Sequence, residues 1–347
     1  MRTPATLKEL QRFVTSLDWE AMMDQVDREA HARLAIVGPV NAGKSTLFNT
    51  LVGRKASAVS AVPGTTRQLV ADWFGPFVLV DTPGFGEAVG SLGGADDSAQ
   101  RAQVALQAVG GATVVVLLLD AAAGLRQADW ELYRDLVATG RPVVVALNKM
   151  DLVRHDQTAV LADARARLDN AQVIPISAKR GEGVAGGLMP AVFQADSSLA
   201  VAIGRALPGY RRMAAGRLIR NAAALNAAIG AEPIPGLDLP LLLTAHVRLV
   251  LRIAAVYGET ISPERARELI ATMAGGVLLR YLGVEAAKLI PGPGWLVGGA
   301  IASLGTLAIG QVAVRYFESG KQLTPQQLRE LYQTYRRRRS RANDVHD

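Results

Sequence analysis

The chain has no cysteine in 347 residues. That excludes disulfides, thiolate metal sites and cysteine nucleophiles, and it suits a reducing compartment. Histidine is scarce as well. His31, His155, His246 and His346 lie far apart, and none has a second at the spacing a metal site needs, so scattered core or surface histidines are expected. The opening residues, MRTPATLKELQRFVTSLDWEAMM, carry charges throughout and lack the apolar stretch of a signal peptide, so a cytoplasmic protein is expected. The C-terminal half lacks a KH motif and the aromatic signature of an RNA-binding sheet.

What is present divides in two. The length is comfortable for two domains, each able to bury its own core. The formal net charge of +7 favours anionic partners such as nucleotide, RNA or anionic lipid. Four segments are expected. Residues 1–32 form an amphipathic helix, with Leu7, Leu10, Val14, Leu17 and Val26 at helical spacing. Residues 33–196 form an α/β domain, 197–320 an all-α hydrophobic domain, and 321–347 a basic helix or tail.

In the second segment the apolar run RLAIVG leads into GPVNAGKST and then a helical pattern, a strand–loop–helix unit with GxxxxGKS at its turn. Glycines there allow consecutive N–H groups to face phosphate oxygens, and the helix adds the positive end of its dipole. Gly38, Asn41, Ala42, Gly43, Lys44, Ser45 and Thr46 are the expected cradle, with Lys44 on the β- and γ-phosphates and the Ser45 hydroxyl on Mg²⁺.

FVLVD ends on Asp81, where a carboxylate can hold a metal-bound water, and Gly84 of DTPG can turn its N–H onto a γ-phosphate. TVVVLLLD and PVVVALNKMD are continuous apolar runs of the kind buried in parallel sheets, and the second ends in NKMD. Asp151 there can accept both the N1–H and the 2-amino protons of guanine, two donors that adenine lacks. Asn148 and Lys149 brace the loop and cover the base. After QVIPI come Ser177, Ala178 and Lys179, where the Ala178 N–H can meet guanine O6. The ordered set predicts a P-loop NTPase fold, a mostly parallel sheet with helices on both faces and a guanine nucleotide along the C-terminal edge of its strands.

On these motifs residues 33 to about 195 resemble a small GTPase domain of the Era, Der and MnmE type. The resemblance implies a Mg²⁺-dependent GTPase switch with slow intrinsic turnover. In GTTR (Gly64 to Arg67) it assigns Thr66 to Mg²⁺ and the γ-phosphate, with Thr65 as the alternative. Phe85 follows Gly84, where Ras has its water-orienting glutamine. In several members of the family an asparagine of the phosphate loop helps hold K⁺ against the phosphates instead, and Asn41 occupies that position. Asn41, Lys44, Thr66 and Gly84 are therefore the expected catalytic set. The resemblance leaves open dimerisation on GTP binding, an RNA-associated role in ribosome assembly, and a GTP-binding scaffold with negligible turnover.

From about Ser197 the composition turns to Ala/Arg helices. The segment PIPGLDLPLLL, the apolar IPGPGWLVGGAIASLGTLAIG and RYFESG resemble the YcjF-like domain of unknown function, which follows Era-type GTPase domains in some bacterial proteins and is usually considered membrane-associated. It implies a protein at the cytoplasmic face of the inner membrane, contacting lipid or a membrane protein. Gly294 to Val314 carries no charge and is long enough for about 30 Å of hydrocarbon. Three arrangements suit it: a hairpin bent near Gly305, a pair of spans that recruits a charged neighbour, or a helix buried in its own bundle that inserts conditionally. The closing RRRRSR can sit on anionic lipid, grip RNA phosphates, or remain solvated.

Overall fold

The computed structural model describes residues 17–53, 71–81, 109–153, 156–169, 171–231, 238–262, 269, 294–320 and 323–343. They fall into two compact units, one of residues 31–202 and one that combines residues 1–30 with 203–347.

The first unit is built on a sheet of six strands: β1 (Leu34–Gly38), β2 (Ala71–Phe74), β3 (Phe77–Asp81), β4 (Val114–Asp120), β5 (Val143–Asn148) and β6 (Val173–Pro175). Their order across the sheet is β2-β3-β1-β4-β5-β6. Five are parallel, and β2 lies antiparallel to β3 across the Gly75–Pro76 turn. The Ala71–Phe74 strand was not foreseen, because four residues beside a tight turn leave no periodicity to read. β1 and the middle of β4 are wholly buried, as apolar strands covered on both faces must be.

Helices that cover the sheet among the described residues include α2 (Lys44–Val52), α3 (Gln127–Ala138), α4 (Gln157–Arg167) and α5 (Met189–Ala195). Ala35, Val37, Val115, Leu117 and Leu147 pack on one face with Leu132 and Leu136 of α3 and Ala164 of α4. The alternate residues face the other way, and there the Phe48 ring of α2 meets Phe77 of β3 edge to face at 5.7 Å. The strand order reverses direction at β1, with β3 on one side and β4 on the other, which opens a crevice at the C-terminal end of β1.

The second unit is helical. It contains α1 (Trp19–Ala30), α7 (Arg211–Gly230), α8 (Asp238–Val256), α9 (Gly294–Glu318) and α10 (Pro325–Asn343), while α6 (Ser198–Ala206) carries the chain into it. α1 packs on α8, burying Trp19 and Val26. Its Glu29 sits between Arg252, 2.5 Å away, and Arg248, 3.4 Å away. Leu7, Leu10 and Val14 lie outside the described residues.

α9 runs unbroken through Gly305. The hairpin bent at that glycine is thereby corrected: without a proline or an intruding polar group nothing interrupts the ladder. Among the described residues it is the one helix long and apolar enough to cross a membrane. Its stretch Gly298–Glu318 has a mean hydropathy of 1.3, and 61% of the apolar window is buried. The burial comes from α7, α8 and α10 around it. At Gly299 the backbone of α7 comes so close that a Cβ would lie 2.7 Å from Ala227 O, an approach only glycine permits. At the start of α10, Thr324 accepts from the Gln327 N–H at 3.3 Å and donates its own N–H to Gln327 Oε1 at 2.9 Å, a capping box that fixes the helix start.

Candidate functional site

The phosphate loop begins where β1 stops. Gly38 is required there because a Cβ would run into the carbonyl oxygen of Leu118 on β4. Its register partner on β3 is Asp81, so that strand end lies beside the loop. Asn41 (φ 65°) and Gly43 (φ 98°) both take the left-handed conformation, which rolls the loop over before α2 starts at Lys44. Lys44 is 7% exposed, and its ammonium donates to the carbonyls of Gly38 and Pro39, each at 2.7 Å. A charged amine is thus held over the loop's own backbone, with Ser45 and Thr46 exposed in the first turn of α2.

Asn148, at the end of β5, joins the parts. Its Nδ2 donates to Ala42 O at 2.7 Å, and its Oδ1 accepts the Ala178 N–H at 2.8 Å. It is 2% exposed, and its amide occupies the place a Cβ on residue 43 would need. One buried amide therefore clamps the phosphate loop to the SAK loop, both of its polar groups used. The Ala178 N–H, expected to meet guanine O6, donates here to Asn148 Oδ1. A second tie fixes the same loop, since Thr50 of α2 donates to Ala178 O at 2.6 Å.

Lys149 follows in the left-handed conformation (φ 64°) and places its ammonium 2.6 Å from Asp120 Oδ2 at the end of β4. Asp151 lies in a short 3₁₀ turn, Met150–Leu152, with its side chain only 6% exposed and Oδ2 3.7 Å from Arg180 Nε. Ser177 is buried and accepts the Arg180 N–H at 3.2 Å, while Lys179 is exposed. Thr65, Thr66, Gly84 and Phe85 lie outside the described residues, as does the Asp81 side chain.

Gly38, Asn41, Ala42, Gly43, Lys44, Ser45, Thr46, Asn148, Lys149, Asp151, Ser177, Ala178 and Lys179 are thus brought to one edge, at the C-terminal ends of β1, β5 and β6. Sequence reasoning passed over Asp120, Thr50 and Arg180. Asp120 had a visible signal, a charge ending an otherwise apolar strand; Thr50 and Arg180 had none. The corner offers backbone N–H groups and a helix N-terminus to an anion, and a shielded carboxylate to a pair of neighbouring N–H donors.

Comparison with known proteins finds matches in both halves of the chain. Residues 33–149 match the family model described as 50S ribosome-binding GTPase, and residues 195–342 match a domain of unknown function, DUF697. Residues 94–244 also match the elongation factor Tu GTP-binding domain. A GTPase Der of Mycolicibacterium paratuberculosis is 38% identical over 176 residues, covering 48% of this chain and 36% of the relative. Another from Halorhodospira halophila is 40% identical over 166 residues, covering 47% and 33%. The chain spans about a third of the length of these curated relatives. A solved structure described as a probable GTP-binding protein engB aligns with 47% of this chain and 98% of its own, at 25% identity and a TM-score of 0.38.

Proposed function

We propose, for a chain that joins a TRAFAC-class GTPase domain to a DUF697 domain, a guanine-nucleotide switch that hydrolyses GTP to GDP and phosphate. The observation that carries it is Asn148, whose single amide makes the phosphate loop, NKMD and SAK parts of one corner. In this reading the N–H groups from Asn41 to Thr46 and the Lys44 ammonium receive the β- and γ-phosphates. Asp151 accepts the two guanine donors; Lys149 and Lys179 flank the base, with Ser177 and Ala178 shaping the loop beneath it. Thr66 and Gly84 are the residues assigned to the γ-phosphate.

Mg²⁺ suits the donors available, the Ser45 hydroxyl with Asp81 and Thr66, because hard oxygen ligands favour it. When bound it supplies charge neutralisation at the β- and γ-oxygens. Asn41 is the residue we assign to K⁺, in place of a water-orienting glutamine, since phosphoryl transfer depends more on charge stabilisation and positioning than on proton abstraction.

Titration calorimetry with GDP and ADP tests the reading: GDP binds and ADP fails by orders of magnitude, because an unmatched shielded carboxylate opposes adenine. Equal binding of the two would end it. Turnover in KCl should exceed that in NaCl, and equal rates would remove the role of K⁺ while leaving the switch. Association with the cytoplasmic face of a membrane is proposed for the helical unit on the apolar length of α9, and flotation with anionic liposomes checks it. A second reading, RNA association, draws on the ribosome-binding description of the matched family and the basic end of α10. Crosslinking to RNA across a salt series, without flotation, would favour it.

A further inference from the structure

We propose that Asp120, which belongs to no nucleotide motif, is a positioning residue for base recognition: it pins Lys149 across the floor of the base corner. The proposal rests on the guanine-nucleotide reading above. Asp120 ends β4 and is the register partner of Asn148, so it sits one strand over from the NKMD loop. Its carboxylate is fixed before it meets the lysine. Oδ1 accepts the Ala122 and Ala123 N–H groups at 2.9 and 3.3 Å, which turns Oδ2 towards Lys149 Nζ at 2.6 Å. The side chains of Lys149 and Asp120 are 28% and 18% exposed, so water competes only partly for either charge.

The lysine backbone is unusual where it makes this contact. Residue 149 adopts φ 64°, a conformation L residues seldom take, and the four-carbon stem is laid from the end of β5 towards the end of β4. An ionised amine at the tip and an apolar stem behind it give a wall for the flat face of a purine. An unpinned stem would have to be ordered each time a base arrived, whereas a pinned one is ready. Asp120 acts through the stem and never touches the base. It should therefore serve every base that stacks there, in contrast to Asp151, which reads the exocyclic 2-amino group.

The test uses the full chain, with GDP and IDP as probes, and three variants: Asp120→Asn, Lys149→Met and the double substitution. Asp120→Asn is expected to raise Kd for GDP about tenfold and for IDP by the same factor, leaving their ratio unchanged. Lys149→Met keeps a stem of similar length without the charge and should match it. The double variant should be no weaker than either single one, because both remove a single interaction. Multiplied effects in the double variant, a Kd for Asp120→Asn within twofold of wild type, or an altered GDP to IDP ratio would overturn the proposal. Thermal unfolding without nucleotide separates misfolding from lost positioning, and Lys149→Met carries the test should Asp120→Asn fail to fold. Wild-type protein that does not prefer GDP to ADP contradicts the guanine reading itself; wild type that binds GDP beside an unaffected Asp120→Asn contradicts only the inference.

Discussion

At the scale of single residues, the nucleotide corner depends on groups that have no substitute. Replacing Asn148 by alanine strands the Ala42 carbonyl and the Ala178 N–H in a place nearly closed to water, and each unpaired group costs about 1–3 kcal/mol. Asn148→Ala should accordingly lose GDP affinity by more than tenfold and lower the melting temperature, read by calorimetry and thermal unfolding. In the helical unit a different polar group is decisive. Thr306 donates its only hydroxyl hydrogen to Ala302 O at 2.8 Å, so it can only accept from Asn226 Nδ2 at 2.7 Å and from His246 Nε2 at 3.0 Å. That fixes His246 as the neutral Nε2–H tautomer, and burial pushes its pKa down to about 4 from the ordinary 6.5. The unfolded chain thus binds the proton first. The stability held by the neutral ring is complete above pH 6.5, falls as the pH drops from 6.5 towards 4, and amounts to about 3 kcal/mol across that window. Urea unfolding at pH 7.5 and pH 5 should show the loss, and His246→Gln should flatten it; an unchanged slope in that variant would place the acid sensitivity elsewhere.

At the scale of elements, glycine in α9 serves two opposite purposes, and substitution tells them apart. Alanine at 299 drives its Cβ to 2.7 Å from Ala227 O, a backbone atom of α7 that cannot step aside, so Gly299→Ala should cost about 1–3 kcal/mol. At 305 the nearest atom to a Cβ is Tyr332 Oη at 3.8 Å, ordinary contact, so Gly305→Ala should stabilise the helix by about 0.5–1 kcal/mol. Melting temperatures moving in opposite directions would confirm the packing, and two shifts of the same sign would refute it. The composition of α9 could not choose between lipid and protein as its surroundings, because close helix packing favours glycine in both. The strands were legible for the reverse reason: continuous apolar runs ending in GKS, DTPG and NKMD specify both a parallel sheet and the edge where its ligand sits. The charge that ends β4 was visible at Asp120, but its partner was not, because pairing with Lys149 needs the β4–β5 register, which no local pattern encodes. Arg180 was hidden because its approach to Asp151 depends on how the SAK loop returns along β6.

At the scale of the whole molecule, the helical unit takes chain from both sides of the nucleotide unit, since residues 1–30 group with residues 203–347. The fastening on the N-terminal side is α1 on α8, and a polar contact there is Glu29 between Arg252 and Arg248. Glu29 and Arg252 are close to buried, at 10% and 12% exposure, while Arg248 is 41% exposed. Removing the carboxylate deletes two ion pairs at once, one with a guanidinium that is nearly buried and one with a guanidinium that is partly hydrated. The cost is therefore roughly 2 kcal/mol, short of the 3–5 kcal/mol of a fully buried pair. Because α1 packs on α8, that cost falls on the helical unit. Calorimetric unfolding of Glu29→Gln with and without GDP should show a lowered transition for the unit that GDP does not shift, and an unmoved transition for the unit that GDP stabilises. If the GDP-shifted transition falls instead, α1 belongs energetically to the nucleotide unit, and its docking on α8 does not hold the helical unit together.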